Sequence, residues 1–234
     1  MEYAFASYTD VGKRDNNEDA LKAARLSGGL LAVVADGLGG HSYGEIASQL
    51  AVESIFRDLD EKQIDEETLI YAVLKANDTI CTAEHRGHTT AAALWMEDSC
   101  AVAAHVGDSR IYQFRDGNII FQSVDHSVVQ MAVLVGELAP DAVRHHKDRN
   151  KVFRVLGDDH EEPKVDSTEL TVCPGDRFLL CSDGFWEPVT EADMLRTLRE
   201  TETAQQWLDA MRQIVADARD PRQDNNTAIC ILVK

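Results

Sequence analysis

Apolar runs in this chain repeatedly end in an aspartate followed by a small or polar residue: LLAVVADG closes on Asp36, AVAAHVGDS on Asp108 and FLLCSDG on Asp183. Two further acidic sites stand just before strand-like segments, Glu18-Asp19 in RDNNEDA and Asp224-Asn225 in RQDNNTA. One aspartate at a strand end is an ordinary turn former. Five acidic sites abutting core segments suggest a second use. If the strand ends meet, several carboxylates share one cleft, and they cannot all stay ionised there without compensating cations. Hard oxygen ligands completed by water suit Mg²⁺ or Mn²⁺, and the sequence has no Cys/His cluster of the kind that holds zinc. Two such ions lower the pKa of a water they bridge and stabilise the charge that builds on a transferring phosphoryl group.

The apolar pattern shows which elements could bring those positions together. Short runs rich in Val, Ile, Leu and Ala predict strands over 3–9, 30–35, 90–96, 99–106, 110–114, 177–182 and 228–233. Helical spacing runs over 44–60, where Ile46, Leu50, Ile55 and Leu59 can share a face, and recurs in Leu69, Val73, Ala76 and Ile80. A further helix is predicted over 203–218, with Ala204, Trp207, Leu208, Met211 and Val215 inward. The runs 90–96 and 99–106 are joined by too few residues for a parallel crossover, so they must pair antiparallel. The expectation is an α+β layered fold and not a doubly wound parallel sheet.

Length and composition set the outer bounds. With 234 residues, 44% of them hydrophobic, and no repeat, low-complexity tract or linker-like stretch, residues 1–234 read as a single domain. No apolar run approaches the roughly 18–20 residues that span a bilayer, and no leader pattern is evident, so a soluble, cytoplasmic protein without membrane partners is expected. The five cysteines form an odd set without a C-x-x-C pair and read as reduced, buried thiols. A net charge of −18 argues against a nucleic-acid partner. It also means that an anionic substrate would need the local field reversed, which bound cations can do.

In chain order, GKRDNNEDA, VVADGLGGHSYGEIAS, TTAAALWMEDSCAVAAHVGDSRIYQF, VDHSVVQM, RNKVFRVLG, LLCSDGFWE and QDNNTAICILV are similar to the successive motifs of the metal-dependent protein phosphatases of the PP2C (PPM) type, in their compact bacterial form. The resemblance runs from about residue 3 to residue 233. It implies a four-layer αββα sandwich, with two mainly antiparallel sheets flanked by helix pairs. It also implies hydrolysis of phosphoserine and phosphothreonine on proteins by a binuclear centre with a metal-bridging water or hydroxide as nucleophile.

Carried over position by position, the resemblance makes Asp36 the residue that bridges two ions (Mn²⁺ or Mg²⁺) and Gly37 the donor of a carbonyl oxygen. Asp183 and Asp224 complete the first ion's shell, Glu18 and Asp19 act largely through bound water, and Asp108 with Asp183 serves a third, weaker ion. Arg14, four residues before Glu18, takes the place of the phosphate-binding arginine; its guanidinium fork matches two phosphoryl oxygens better than a lysine would. The alternative for Arg14 is a surface pairing with Asp15 or Asp10. Where eukaryotic members carry a proposed acid, a histidine, this chain has Leu38. That leaves the proton to a metal-bound water or, second, to His41. Gly37, Gly39 and Gly40 are read as letting the backbone approach the ions.

The stretch 125–160 corresponds to the flap beside the active site. Its His145, His146, Lys147, Arg149 and Arg154 read either as a basic rim that attracts phosphorylated segments or as partners of the acids Asp158, Asp159, Glu161 and Glu162. Expected partners are phosphoproteins, including a bacterial Ser/Thr kinase that the phosphatase opposes, and family resemblance suggests a monomer. A regulatory module that binds phosphoproteins without hydrolysing them, and a nuclease or small-molecule phosphoesterase, are the rival readings.

Overall fold

The computed structural model describes residues 1–38, 43–59 and 64–234. The chain begins with strands β1 (Tyr3–Asp10), β2 (Asp19–Leu26) and β3 (Gly29–Asp36), followed by helices α1 (Gly44–Leu59) and α2 (Glu66–Cys81). Four strands follow: β4 (Ala91–Glu97), β5 (Cys100–Val106), β6 (Arg110–Arg115) and β7 (Asn118–Gln122). After the short helix α3 (Val128–Leu134) and a 3₁₀ turn at Pro140–His145 come β8 (Asp166–Thr171) and β9 (Arg177–Cys181). Helices α4 (Asp183–Trp186), α5 (Glu191–Glu200) and α6 (Ala204–Asp217) then lead into β10 (Asn226–Val233).

The strands form two five-stranded sheets, ordered β1-β10-β9-β6-β7 and β2-β3-β4-β5-β8, and every ladder is antiparallel. Alternation along β3 explains the stacking. Leu30, Ala32 and Val34 join Ile229, Ile231, Phe178 and Leu180 in a core between the sheets, while Leu31, Val33 and Ala35 point the other way into α1 and α2. Burial of both faces is why β3 reads as one unbroken apolar run. A third core lies outside the first sheet, where Trp207, Leu208, Met211 and Val215 of α6 pack with Phe185, Trp186 and Phe114. The result is a four-layer αββα sandwich, as expected.

Two details differ from the sequence expectation. Helix α1 buries Ala47, Ala51, Ile55 and Leu59, with Ile46 and Leu50 only half-buried, because small alanines let the helix lie close on the sheet. Of the cysteines, Cys181 and Cys230 are buried and Cys81 and Cys173 half-buried, but Cys100, at the first position of β5, is exposed; all five are unpaired. No helix among the described residues is long and apolar enough to cross a membrane.

Candidate metal centre

Both sheets direct their acidic ends to one side. Asp19 opens β2 and Asp36 closes β3, and the register places them directly opposite each other. Asp108 occupies the turn between β5 and β6, Asp183 follows β9 at the first position of α4, and Asp224 stands two residues before β10. Asp36, Asp108, Asp183 and Asp224 line one cleft of about 500 Å³ together with Glu18, Gly37, Leu38 and Arg14. Asp19 does not line it. It is buried behind the wall, 7% exposed, with Oδ2 accepting from the Ser182 hydroxyl at 2.7 Å and Oδ1 left without a partner.

Local hydrogen bonds explain how the loops converge. The Asn225 side chain accepts from Glu18 N at 2.8 Å and donates to the carbonyls of Val11 and Asn16, each at 2.9 Å, so one amide holds the N-terminal loop against the start of β10. Ser182 bridges the two sheets through Asp19 and also accepts from Thr227 N at 3.0 Å. The backbone of Asp36 is fixed by Thr89 and Thr90, whose hydroxyls meet its carbonyl at 2.9 Å and its N–H at 3.0 Å. Trp186 Nε1 donates to the Asp108 carbonyl at 3.0 Å. Two glycines permit the close approach: a Cβ on Gly37 would overlap the Gly44 and Glu18 carbonyls, and one on Gly184 would overlap the Asn225 carbonyl. Gly39, Gly40 and His41 lie outside the described residues.

The electrostatics are those of an anion cluster. Burial, and then the charges of Asp19, Asp183, Asp108 and Asp224, hold the Asp36 carboxyl well above the usual carboxylate range. Burial and Asp183 do the same for Asp108. Burial raises Asp19 to about 7 and, with Asp224, Asp183 to about 6. Glu18 is raised by burial and by Asp224 and Glu45. A cluster of hard oxygen donors that repel one another, with an orphaned carboxylate oxygen at its back, fits divalent cations. A second group, Asp158, Asp159 and His160, brings three ligand atoms within 4.8 Å of one another, but it lies on an exposed loop where Arg86 already pairs with Asp159 at 2.9 Å.

Arg14 pairs with neither Asp10 nor Asp15. Its Nη2 donates to Asp224 Oδ2 at 2.6 Å at the edge of the cleft, and its side chain is half exposed. None of the five basic residues named from 125–160 pairs with Asp158, Asp159, Glu161 or Glu162, and the rim is open only in part, because two of them are bound elsewhere. Arg149 meets Glu187 at 2.7 Å and Arg154 meets Asp166 at 3.0 Å, while His145 and Lys147 are exposed. Arg144, which the sequence did not single out, reaches Glu191 at 2.7 Å. The sequence reading also passed over Ser182, Thr90 and Trp186. Ser182 lies in the SDG triplet and Trp186 just after it, but only the cross-sheet pairing reveals what they hold.

Residues 10–225 match the family model of protein phosphatase 2C. The chain is 34% identical over 235 residues to the serine/threonine protein phosphatase PstP of Mycobacterium tuberculosis, an alignment covering 96% of this chain and 44% of PstP, so the chain spans less than half of that relative's length. The crystal structure of Mycobacterium tuberculosis PstP/Ppp superposes with a TM-score of 0.86 at 30% identity, covering 99% of each chain. The PstP catalytic domain in complex with two manganese ions gives a TM-score of 0.84 at 29% identity, over 99% of this chain and 98% of that one. With its whole acidic cleft inside the matched span, this chain belongs to the protein phosphatase 2C family.

Proposed function

We propose that this protein is a metal-dependent phosphatase that hydrolyses phosphoserine and phosphothreonine on proteins. The observation that carries the reading is the convergence of Asp36, Asp108, Asp183 and Asp224, from four separate strand ends, with Arg14 in one cleft of a chain whose net charge is −18. Asp36, the Gly37 carbonyl, Asp183 and Asp224 would hold two Mn²⁺ or Mg²⁺ ions, with Glu18 and Asp19 acting through water and Asp108 joining Asp183 at a third ion. When bound, the ions supply the activated water and offset the charge of the phosphoryl oxygens.

The chain's own residues do the rest. Asp224 and the neighbouring carboxylates hold the Arg14 guanidinium at the cleft edge, and the hydrogen bond to Asp224 with the charges of Asp224, Asp183 and Glu18 keeps it charged. From there its fork can take two phosphoryl oxygens and orient the phosphorus for in-line attack. Trp186 and Thr90 fix the backbones of Asp108 and Asp36, so that the carboxylates need little reorganisation. Leu38 has no proton to give, so the leaving alkoxide would take its proton from water, with His41 the second candidate.

The substrates are phosphoproteins, and an opposing Ser/Thr kinase in the cytoplasm and a monomeric state complete the reading. Turnover on a phosphothreonine peptide, a nucleotide and single-stranded DNA, with Mn²⁺ and with chelator, tests it. Metal-dependent hydrolysis of the peptide in strong preference to the other two is expected. Peptide binding without turnover would point to a regulatory module, and preference for nucleotide or DNA to another phosphoesterase.

A further inference from the structure

Asn150 is the only residue of 125–160, among those described, that lines the metal cleft. It is exposed, and its carboxamide has no hydrogen-bond partner among the described residues. The backbone that carries it is fixed on both sides. Before it, Arg149 is tied at 2.7 Å to Glu187, which caps α4 directly behind Asp183. After it, the Lys151 carbonyl accepts from Val128 N at 2.9 Å and Val152 is bridged to Ser127. An exposed carboxamide on an anchored backbone is held at the cleft with its donor and acceptor free to meet a visitor.

The chemistry of the cleft narrows what that visitor offers. Arg14 and the carboxylates with their cations account for the phosphoryl group, which leaves the chain that carries it. A carboxamide presents both a donor and an acceptor and no charge, which complements a peptide group and does not compete for cations or repel phosphate. Resting on the phosphatase reading above, we infer that Asn150 is a substrate-specificity residue, whose amide hydrogen-bonds the main chain of the phosphoprotein beside the phosphorylated residue. It thereby favours protein substrates over small phosphate esters that have no peptide backbone.

The test compares the metal-loaded wild type with Asn150→Ala and Asn150→Asp on a phosphothreonine peptide and on p-nitrophenyl phosphate, together with Mn²⁺ affinity by calorimetry. Loss of one or two neutral hydrogen bonds predicts a rise of about tenfold in KM for the peptide in Asn150→Ala. The kcat, the kinetics on p-nitrophenyl phosphate and the Mn²⁺ affinity should stay within about twofold. Asn150→Asp, which keeps the acceptor and loses the donor, should be no better than alanine. An unchanged peptide KM, equal losses on both substrates, or weakened Mn²⁺ binding, the mark of a cation ligand, would each overturn the inference while leaving the phosphatase reading standing. Wild-type protein that hydrolyses neither substrate would overturn both.

Discussion

Arg14 Nη2 lies 2.6 Å from Asp224 Oδ2, which links the loop after β1 to the loop before β10 across 210 positions of sequence. The same guanidinium is the proposed phosphate clamp, so its hold on Asp224 and its hold on substrate draw on one set of donors. Arg14→Ala should lower kcat/KM for a phosphothreonine peptide by about 10- to 100-fold, the worth of charge-assisted bonds. Arg14→Lys should recover only part of that, because an ammonium cannot bind two oxygens as a fork. The pair is exposed enough that the melting temperature should hardly move; a large drop would assign Arg14 to the fold instead.

Asp183→Asn and Asp36→Asn should abolish Mn²⁺-stimulated hydrolysis while leaving far-UV circular dichroism unchanged. Removing one of several crowded carboxylates should also raise the metal-free melting temperature, by a few degrees for about 1 kcal/mol. The wild type, by contrast, should gain stability on adding Mn²⁺ and lose it with chelator. Scanning calorimetry with and without Mn²⁺ reads both effects. Near-wild-type turnover in either variant would refute the ligand assignment.

His126 gives a pH dependence with a definite sign. Its Nδ1 accepts from Gly107 N at 3.1 Å, its ring stacks on His105 with centroids 4.7 Å apart, and Asp166 and Arg154 face Nε2. Burial and His105 pull its pKa down from 6.5 to about 4. Between those values the unfolded chain binds the proton and the folded chain does not, so stability is complete above pH 6.5 and falls as pH drops toward 4. The loss totals about 3 kcal/mol at most. Urea midpoints at pH 7, 5.5 and 4.5 should diverge between the wild type and His126→Gln, with the variant's profile flatter; parallel profiles would contradict the assignment.

Asp176 is a structural counterpart at the opposite end of β9 from Asp183. It is fully buried in the turn before β9 and accepts from Arg115 Nε and Nη2 at 2.8 Å, from Gln113 Nε2 at 2.9 Å and from Cys173 N at 2.9 Å. Although burial pushes its pKa up, these donors hold the carboxyl below its ordinary 3.8. Its stabilisation is therefore present above about pH 3.8 and is lost as pH falls below that. Asp176→Ala leaves several donors unpaired and should cost about 3–5 kcal/mol in denaturant unfolding at pH 7, with Asp176→Asn costing less. A cost under about 1 kcal/mol would show that water replaces the carboxylate.

Most of the strands legible in sequence share one physical property, burial on both faces; the edge strand β1, predicted over 3–9, is the exception. Strands β3, β4 and β5 lie inside their sheet and read as apolar runs. The edge strands β7 and β8 carry a weaker signal: β8 is half exposed and polar, as in DSTELT, and β7 offers only the three apolar residues of NIIFQ between exposed positions. Helix α6 was legible down to its inner face because Trp207, Leu208 and Met211 are large, whereas α1 presents alanines whose packing role has no size to reveal it. In the cleft, the aspartates could be found one strand end at a time. The bonds that organise them join positions as distant as Asp19 and Ser182, or Glu18 and Asn225, and no local pattern encodes such pairs.

Strand β10, the last in the chain, lies inside its sheet between β1 and β9, with Tyr3 aligned to Val233. The second strand in space is thus the tenth to be synthesised. Until the ribosome has delivered it, β1 has no neighbour in its own sheet, Asn225 cannot gather the N-terminal loop, and Arg14 has no Asp224 to meet. A nascent chain would therefore carry an incomplete cleft until β10 has been made, so catalysis would wait for that strand and a product truncated before it would be inert.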